Sequence, residues 1–347
     1  MSALPPNSND AEIWDIWLSQ FQLPACNAAV EVGLFEALGE ASLSSAELAG
    51  KLAVDERALN MFLAALCSLG LVEKRLGKWT ATHLGRTWLH PGGEGYWGHF
   101  FKQIDFNTVL QGRLVEALRT GKRPGDTGEG SGDVSERPAE WERGTMSQEA
   151  AEGIANFMHA HSQGPALGAA AQPVFGELRC LMDVGCGSGV YGIEIARANP
   201  GLKVILMDLK EMVAEAQKFI DRAGAGSQVS TAGVNMFTED WPTEADGHFF
   251  SNVFHDWSDE TCRLLARRSF DALPSGGRIF LNEILMEDDY TGPFPAAAFS
   301  LLMLVGTLGK QFSLAEFEEI LGSAGFKNVQ SQRTGGGHYS LVSAVKP

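Results

Sequence analysis

From residue 178 to the C-terminus, short apolar runs alternate with helical stretches, and no other feature of the chain limits its fold as strongly. Leu178–Val184, Lys203–Asp208, Phe249–Phe254 and Arg278–Leu285 read as strands. Val190–Ala198, Met212–Ala223, Thr261–Leu273 and Leu314–Ala324 read as helices, followed by a terminal strand pair around Val329 and Leu341–Val345. Apolar strands separated by helices imply an α/β fold with a doubly wound, mostly parallel sheet covered on both faces. Such sheets bind ligands at the carboxyl ends of their strands, where the strand order switches. The chemistry is therefore expected just after residues 184, 208, 254 and 285.

The front of the chain is helical. Ile13, Trp14, Trp17, Leu18 and Phe21 recur at helical spacing, and a second run carries Ala29, Val30, Gly33, Leu34 and Leu38. Two tryptophans on one short helix need a large covering surface, and a partner subunit is expected to supply it. Ser44 and Glu47 fit a capping box, and Asp55 caps a helix from Arg57 to Leu69. Leu71–Trp79 reads as a wing hairpin with Gly77 at the bend. This is a winged-helix pattern, yet residues 40–90 carry six Lys or Arg against five Asp or Glu. A DNA-reading surface needs a basic footprint, so the pattern is read as a dimer scaffold.

Composition narrows the class further. Hydrophobic residues at 44% and charged residues at 20% exclude a disordered chain. The formal charge of −16, from 27 Lys and Arg against 43 Asp and Glu, speaks against nucleic acid or an anionic membrane as partner. The N-terminus has no basic region or apolar core of a signal peptide. The uncharged run Tyr290–Gly309 holds three Gly and two Pro and reads as loop plus buried helix rather than a membrane span. Five cysteines without a C-x-x-C pair argue against a disulfide framework or structural zinc, and the expectation is a cytoplasmic protein with reduced thiols.

Asp183-Val-Gly185-Cys-Gly187-Ser-Gly189 follows the first strand of the back half. Glycines there let the backbone turn tightly and approach a ligand, and the next helix offers free N–H groups. Gly187–Gly192 formally matches the dinucleotide fingerprint, and Asp208 at the end of the next strand suits the ribose of either cofactor. Asp183 separates the two readings. A carboxylate there would repel a pyrophosphate but attract the ammonium group of an amino acid, which favours S-adenosylmethionine.

LMDVGCGSG, MDLKEMV, GVNMFTEDWP, FSNVFHDWSDE and GRIFLNEIL occur in the order and spacing of the plant-type small-molecule O-methyltransferases, and the chain resembles that family over nearly its whole length. The resemblance implies a Rossmann-like methyltransferase fold with an N-terminal all-helical winged-helix dimerisation domain, and a homodimer. It divides the chain into a dimerisation domain over 1–95, a helical substrate-binding linker over 96–176 and a catalytic domain over 177–347; within the linker, 121–138 lacks apolar periodicity and reads as a mobile surface loop. It also implies that Ser162, Asp183, Gly185, Gly187, Asp208, Leu209, Asn235, Met236, Phe237, Ser251 and Trp257 hold S-adenosylmethionine. Asp208 would take the ribose, and Met236, Phe237 and Trp257 would flank the adenine. Asn235 stands where the family often has Asp, and Ser251 where plant members have Lys.

A phenol with pKa near 10 is mostly protonated at neutral pH, so transferring a methyl group to its oxygen calls for a base. The resemblance makes His255 that base and Glu283 the carboxylate that orients it. Asp256 is a further candidate, bonding substrate or starting the turn at Trp257. Gln311 replaces the second supporting carboxylate, so either the base is weaker or the acceptor is already acidic. Phe101, Phe106, Met158, Phe299, Met303, Thr307 and Gln311 lie in segments that line the acceptor pocket in relatives and imply a flat aromatic acceptor. No metal is expected. C-methylation of a 2-keto acid or N-methylation of a heteroaromatic ring are the alternatives on the same fold.

Overall fold

The computed structural model describes residues 9–92, 96–98, 108–124, 144, 146–335 and 337–347. The chain forms two compact units, each discontinuous in sequence: Met1–Trp14 with Glu136–Leu285 and Leu314–Pro347, and Asp15–Ser135 with Met286–Ser313.

The first strands of the chain, β1 (Val72–Arg75) and β2 (Lys78–Ala81), form the wing of the second unit. Leu76 and Gly77 both take positive φ at its bend, as a tight two-residue hairpin requires. The expected capping box is present, with Ser44 Oγ accepting from the Glu47 amide at 3.2 Å and Glu47 Oε2 accepting from the Ser44 amide at 2.8 Å. Asp55 caps the helix Glu56–Ser68 through the Ala58 amide. Trp79 is fully buried, and its indole N–H donates to Ser45 Oγ at 3.1 Å. The helix Phe294–Gly306 joins this unit, with Arg113 donating to the Val305 carbonyl and Arg57 to the Leu308 carbonyl. Phe299, Met303 and Gln311 are all buried within it, and Gln311 N–H donates to Ser300 Oγ at 3.0 Å.

The first unit is a seven-stranded sheet. Its strands are β3 (Cys180–Val184), β4 (Lys203–Asp208), β5 (Val229–Gly233), β6 (Gly247–Ser251), β7 (Arg278–Glu283), β8 (Lys327–Arg333) and β9 (Ser340–Val345). They lie in the order β5-β4-β3-β6-β7-β9-β8, with β9 antiparallel to both neighbours and the other pairs parallel. After β3 the chain first builds outward through β4 and β5, then crosses to β6 on the other side. The switch point therefore falls between β3 and β6, where a ligand crevice is expected. Phe175, Phe249, Phe280 and Tyr191 pack together over one face of the strands.

β4 and the helices Val190–Ala198 and Leu314–Ala324 fall where the sequence places them. The strand expected over Phe249–Phe254 instead ends at Ser251, and Phe254–Asp256 is a 3₁₀ turn. β5 was not expected at all. The expected covering of Trp14 by a partner subunit is also corrected. Trp14 is 4% exposed because its own unit covers it, with the His161 ring at 4.4 Å and the Tyr339 ring at 5.5 Å. Ile13 and Ile16 are the exposed apolar side chains of its helix, Ala11–Leu18. Trp17 is half-buried, edge-on to Phe299 at 5.7 Å. All five cysteines are free, and among the described residues no helix is long and apolar enough to cross a membrane.

Candidate active site

The glycine loop leaves β3 and enters the helix Val190–Ala198 with Gly185, Gly187 and Gly189 at φ of 71°, 54° and 76°. An L side chain is strained at such angles. At Gly185 space is short as well, since a Cβ would stand 2.8 Å from Val253 Cγ2. Gly187 differs, because its side faces open ground with Met158 Cβ at 3.9 Å as the nearest atom. Met158, expected on the acceptor side, is thus brought beside the loop.

Two carboxylates hold this loop. Asp208 Oδ2 accepts from the Gly187 amide at 3.0 Å and Oδ1 from the Leu209 amide at 2.8 Å. Each oxygen keeps a second acceptor position. Asp183 Oδ2 accepts from the Gly192 amide at 3.1 Å, inside the first turn of the helix. Burial raises the Asp183 carboxyl to about 7 and the Asp208 carboxyl to about 6, against the pull of these amide bonds.

Around the loop, Phe237 and Trp257 meet edge to face at 4.7 Å. Asn235 Oδ1 accepts from the Phe237 amide at 2.9 Å, and the Met236 carbonyl accepts from the Trp241 indole at 3.0 Å. Ser162 is buried on the helix Gln148–Ala170, 3.2 Å from His161 Nδ1. Ser251 donates to the Asn282 carbonyl at 3.2 Å and accepts from Asn282 Nδ2 at 3.0 Å.

Beyond β6, the turn Phe254–Asp256 buries His255, and β7 ends at buried Glu283. His255 Nδ1 is 3.0 Å from Glu283 Oε2, and Nε2 is 3.7 Å from Asp256 Oδ1. Burial disfavours the imidazolium, but the charges of Glu283 and Asp256, with the Glu283 hydrogen bond, outweigh it and leave the His255 pKa above its ordinary value. Burial pushes the Asp256 carboxyl up to about 6, with His255 opposing and Glu283 reinforcing the shift. Among the described residues no three His, Cys, Asp or Glu stand together as a metal site.

Several polar groups here were not singled out from sequence. His161 lies close enough to His255 to feel its charge, and burial lowers its pKa to about 4. Tyr191, directly after the glycine loop, is buried with Ser162 and Ser251 as its polar neighbours. The position of Tyr191 beside the loop was the signal available for it. Phe101 and Phe106 lie outside the described residues, as does the expected loop 121–138 from residue 125 onward. Phe299, Met303, Thr307 and Gln311 belong to the other compact unit.

The residues present fit S-adenosylmethionine. Two carboxylates at the loop suit a cationic ligand and would oppose a pyrophosphate. The open side of Gly187 leaves room for backbone approach. Ser188 Oγ, Asn252 Nδ2 and Asn282 Oδ1 are buried without a protein partner, and all lie near the carboxyl ends of β3, β6 and β7. Buried polar atoms ordinarily have partners, so this concentration marks a place where a polar ligand or water completes the structure.

Comparison with known proteins agrees with this chemistry. Residues 137–327 match the O-methyltransferase domain model, and residues 18–91 match the O-methyltransferase dimerisation domain model. The 3-hydroxy-5-methyl-1-naphthoate 3-O-methyltransferase of Streptomyces sahachiroi is 32% identical, over 95% of this chain and 92% of that protein. A family 2 O-methyltransferase from Planctomyces limnophilus, solved in complex with apigenin, superposes with a TM-score of 0.83 at 24% identity, over 100% of both chains. Human N-acetylserotonin methyltransferase, solved with S-adenosylmethionine, gives 0.59 at 24% identity, over 100% of this chain and 99% of that one. With both domain models matched and a relative aligned over nearly all of its length, the chain belongs to the O-methyltransferase family and is an S-adenosylmethionine-dependent O-methyltransferase of natural-product type.

Proposed function

We propose that this enzyme methylates a phenolic or enolic hydroxyl on a flat aromatic acceptor, with His255 as general base and Glu283 as the carboxylate that orients it. The observation that carries this reading is the buried His255–Glu283 pair at the carboxyl ends of β6 and β7. With its proton on Nδ1, which faces Glu283 Oε2 at 3.0 Å, the ring keeps its basic lone pair on Nε2. Nε2 takes the proton of the acceptor hydroxyl as the oxygen gains nucleophilic character, and Glu283 offsets the charge left on the ring. When bound, S-adenosylmethionine supplies the electrophilic methyl group. Positioned proton transfer of this kind contributes typically 10²–10⁴-fold, and holding the acceptor in line contributes the larger share.

The name of the Streptomyces relative specifies a hydroxylated naphthoate, which supports a hydroxylated aromatic acceptor here. Family resemblance makes Phe299, Met303, Thr307 and Gln311 the acceptor-side candidates. The dimerisation domain supports a homodimer, with Ile13 and Ile16 as exposed apolar material for it. The test of the base is His255→Ala. Turnover on a phenolic acceptor should fall by about 10² or more, while calorimetry finds cofactor affinity nearly unchanged. Equal turnover by variant and wild type would remove the assignment.

A further inference from the structure

Asn252 stands between the last residue of β6 and the turn that carries His255, and it takes the left-handed conformation with φ of 55°. Non-glycine residues are uncommon there, and Asn is among the few that tolerate it. Its amide side chain is held, since Tyr339 Oη donates to Asn252 Oδ1 at 2.9 Å. Asn252 is 7% exposed and Tyr339 0% exposed, so this bond is shielded from water.

The anchor is well founded. β9 begins at Ser340, the register partner of Glu283, so the strand that flanks Glu283 also delivers Tyr339. The Trp14 and Tyr339 rings meet edge to face at 5.5 Å. On the other side of the bend, Val253 lies against Gly185 of the cofactor loop. The bend at Asn252 therefore sets two things at once, the seat of Val253 on the glycine loop and the entry angle of the turn Phe254–Asp256.

We propose that Asn252, gripped by Tyr339, is a positioning residue for methyl transfer, locking the left-handed bend that aims His255 at Glu283 and at the acceptor. The inference rests on the reading of His255 as base. Without the grip, the bend relaxes toward commoner backbone angles and the His255–Glu283 hydrogen bond lengthens. The base then loses both direction and the carboxylate that favours its charged form.

The test compares Tyr339→Phe, Asn252→Gly and His255→Ala in the full chain, using kcat against pH, cofactor affinity by calorimetry, and thermal melting. Tyr339→Phe deletes one oxygen. It should lower kcat about five- to tenfold, the order expected for one buried neutral hydrogen bond, and move the acid limb of the pH profile to lower pH. Cofactor affinity should change less than twofold. Asn252→Gly keeps φ near 55° accessible but removes the gripped amide, and it should reproduce the shifted acid limb. Should both variants show only a lower melting temperature, with kcat and acid limb at wild-type values, the pair is structural and the inference is overturned. If His255→Ala itself retains full turnover, the base assignment fails first. If His255→Ala is inactive and Tyr339→Phe is unaffected, the positioning role alone fails.

Discussion

Nδ1 of His255 lies 3.0 Å from Oε2 of Glu283, with both side chains buried. β6 and β7 are parallel neighbours whose ends lie side by side, Ser251 opposite Asn282. Glu283 is the last residue of β7, and His255 sits four residues beyond the end of β6, so the pair is a product of strand register followed by one tight turn.

Glu283→Gln separates the two things that Glu283 does. Gln can still accept from Nδ1–H but carries no charge, so the His255 pKa should fall. A base works in its neutral form, and activity is lost as pH drops through that pKa. The acid limb of kcat should therefore move to lower pH. The plateau should decline by about 10-fold or more, because the imidazolium formed during proton transfer loses its counter-charge. A pH–rate profile with an unmoved acid limb would separate Glu283 from the base.

Asp208→Asn tests the loop clamp. The carboxylate accepts from two amides, Gly187 and Leu209. Asn offers one oxygen and turns an NH₂ group toward the other N–H. Two donors facing each other leave a buried amide unsatisfied, at about 1–3 kcal/mol. Calorimetry should show cofactor binding weakened by about tenfold or more, with the melting temperature of the apo protein lowered. Unchanged affinity would leave Asp208 without a binding role.

Burial holds the carboxyls of Asp183 and Asp208 at about 7 and about 6. Both are deprotonated above these values and neutral below them. Their attraction for a cationic ligand is therefore present at high pH and fades as pH falls from 7 toward 5. S-adenosylmethionine affinity should drop across that window, and binding at pH 6.5 should release protons to the buffer. Adenosylhomocysteine, which keeps the ammonium group and the ribose, should show the same decline. A pH-independent affinity for both ligands would show that these carboxyls take no part in binding.

His248, the second residue of β6, is fully buried with Nδ1 2.9 Å from Ser269 Oγ. Burial, with a smaller contribution from Lys346, lowers its pKa to about 3, against 6.5 for the ordinary side chain. Between these values the unfolded chain binds a proton that the folded chain refuses, so this residue's contribution to stability is complete above pH 6.5 and is lost as pH falls. The loss approaches about 1.4 kcal/mol per pH unit. His248→Gln should therefore flatten the decline of urea-unfolding stability between pH 6 and 4 relative to wild type. An unchanged slope would show that His248 takes no part in acid unfolding.

How much of this was legible in the sequence depended on whether the signal was local. β4 and the helix Val190–Ala198 were readable because their apolar residues recur at one period between clear stops. β5, Val229–Gly233, was not, since VSTAG offers a single large apolar residue and reads as loop. His255 and Glu283 were named from motif resemblance, but Phe254, which opens the 3₁₀ turn that buries His255, reads as strand because it extends the apolar run. The cover over Trp14 is hidden from sequence for a different reason. Periodicity marks an apolar face without naming what packs on it, and His161 and Tyr339 lie far away along the chain. The left-handed turn at Asn252 is likewise a tertiary choice, made by Tyr339.

Gly185→Ala probes the contact between the glycine loop and the turn that carries His255. At φ of 71° an added Cβ is strained by about 1–2 kcal/mol, and it would stand 2.8 Å from Val253 Cγ2. The strain belongs to residue 185 alone, whereas the clash belongs to the pair. Val253→Ala removes the methyl in the way, so the double variant should recover the clash but not the strain. In a double-mutant cycle on cofactor affinity, the two substitutions should couple by about 0.5–3 kcal/mol, with Gly185→Ala less damaging in the Val253→Ala background. Strict additivity would show that loop and turn do not press on one another, and that the position of His255 is set independently of the cofactor cradle.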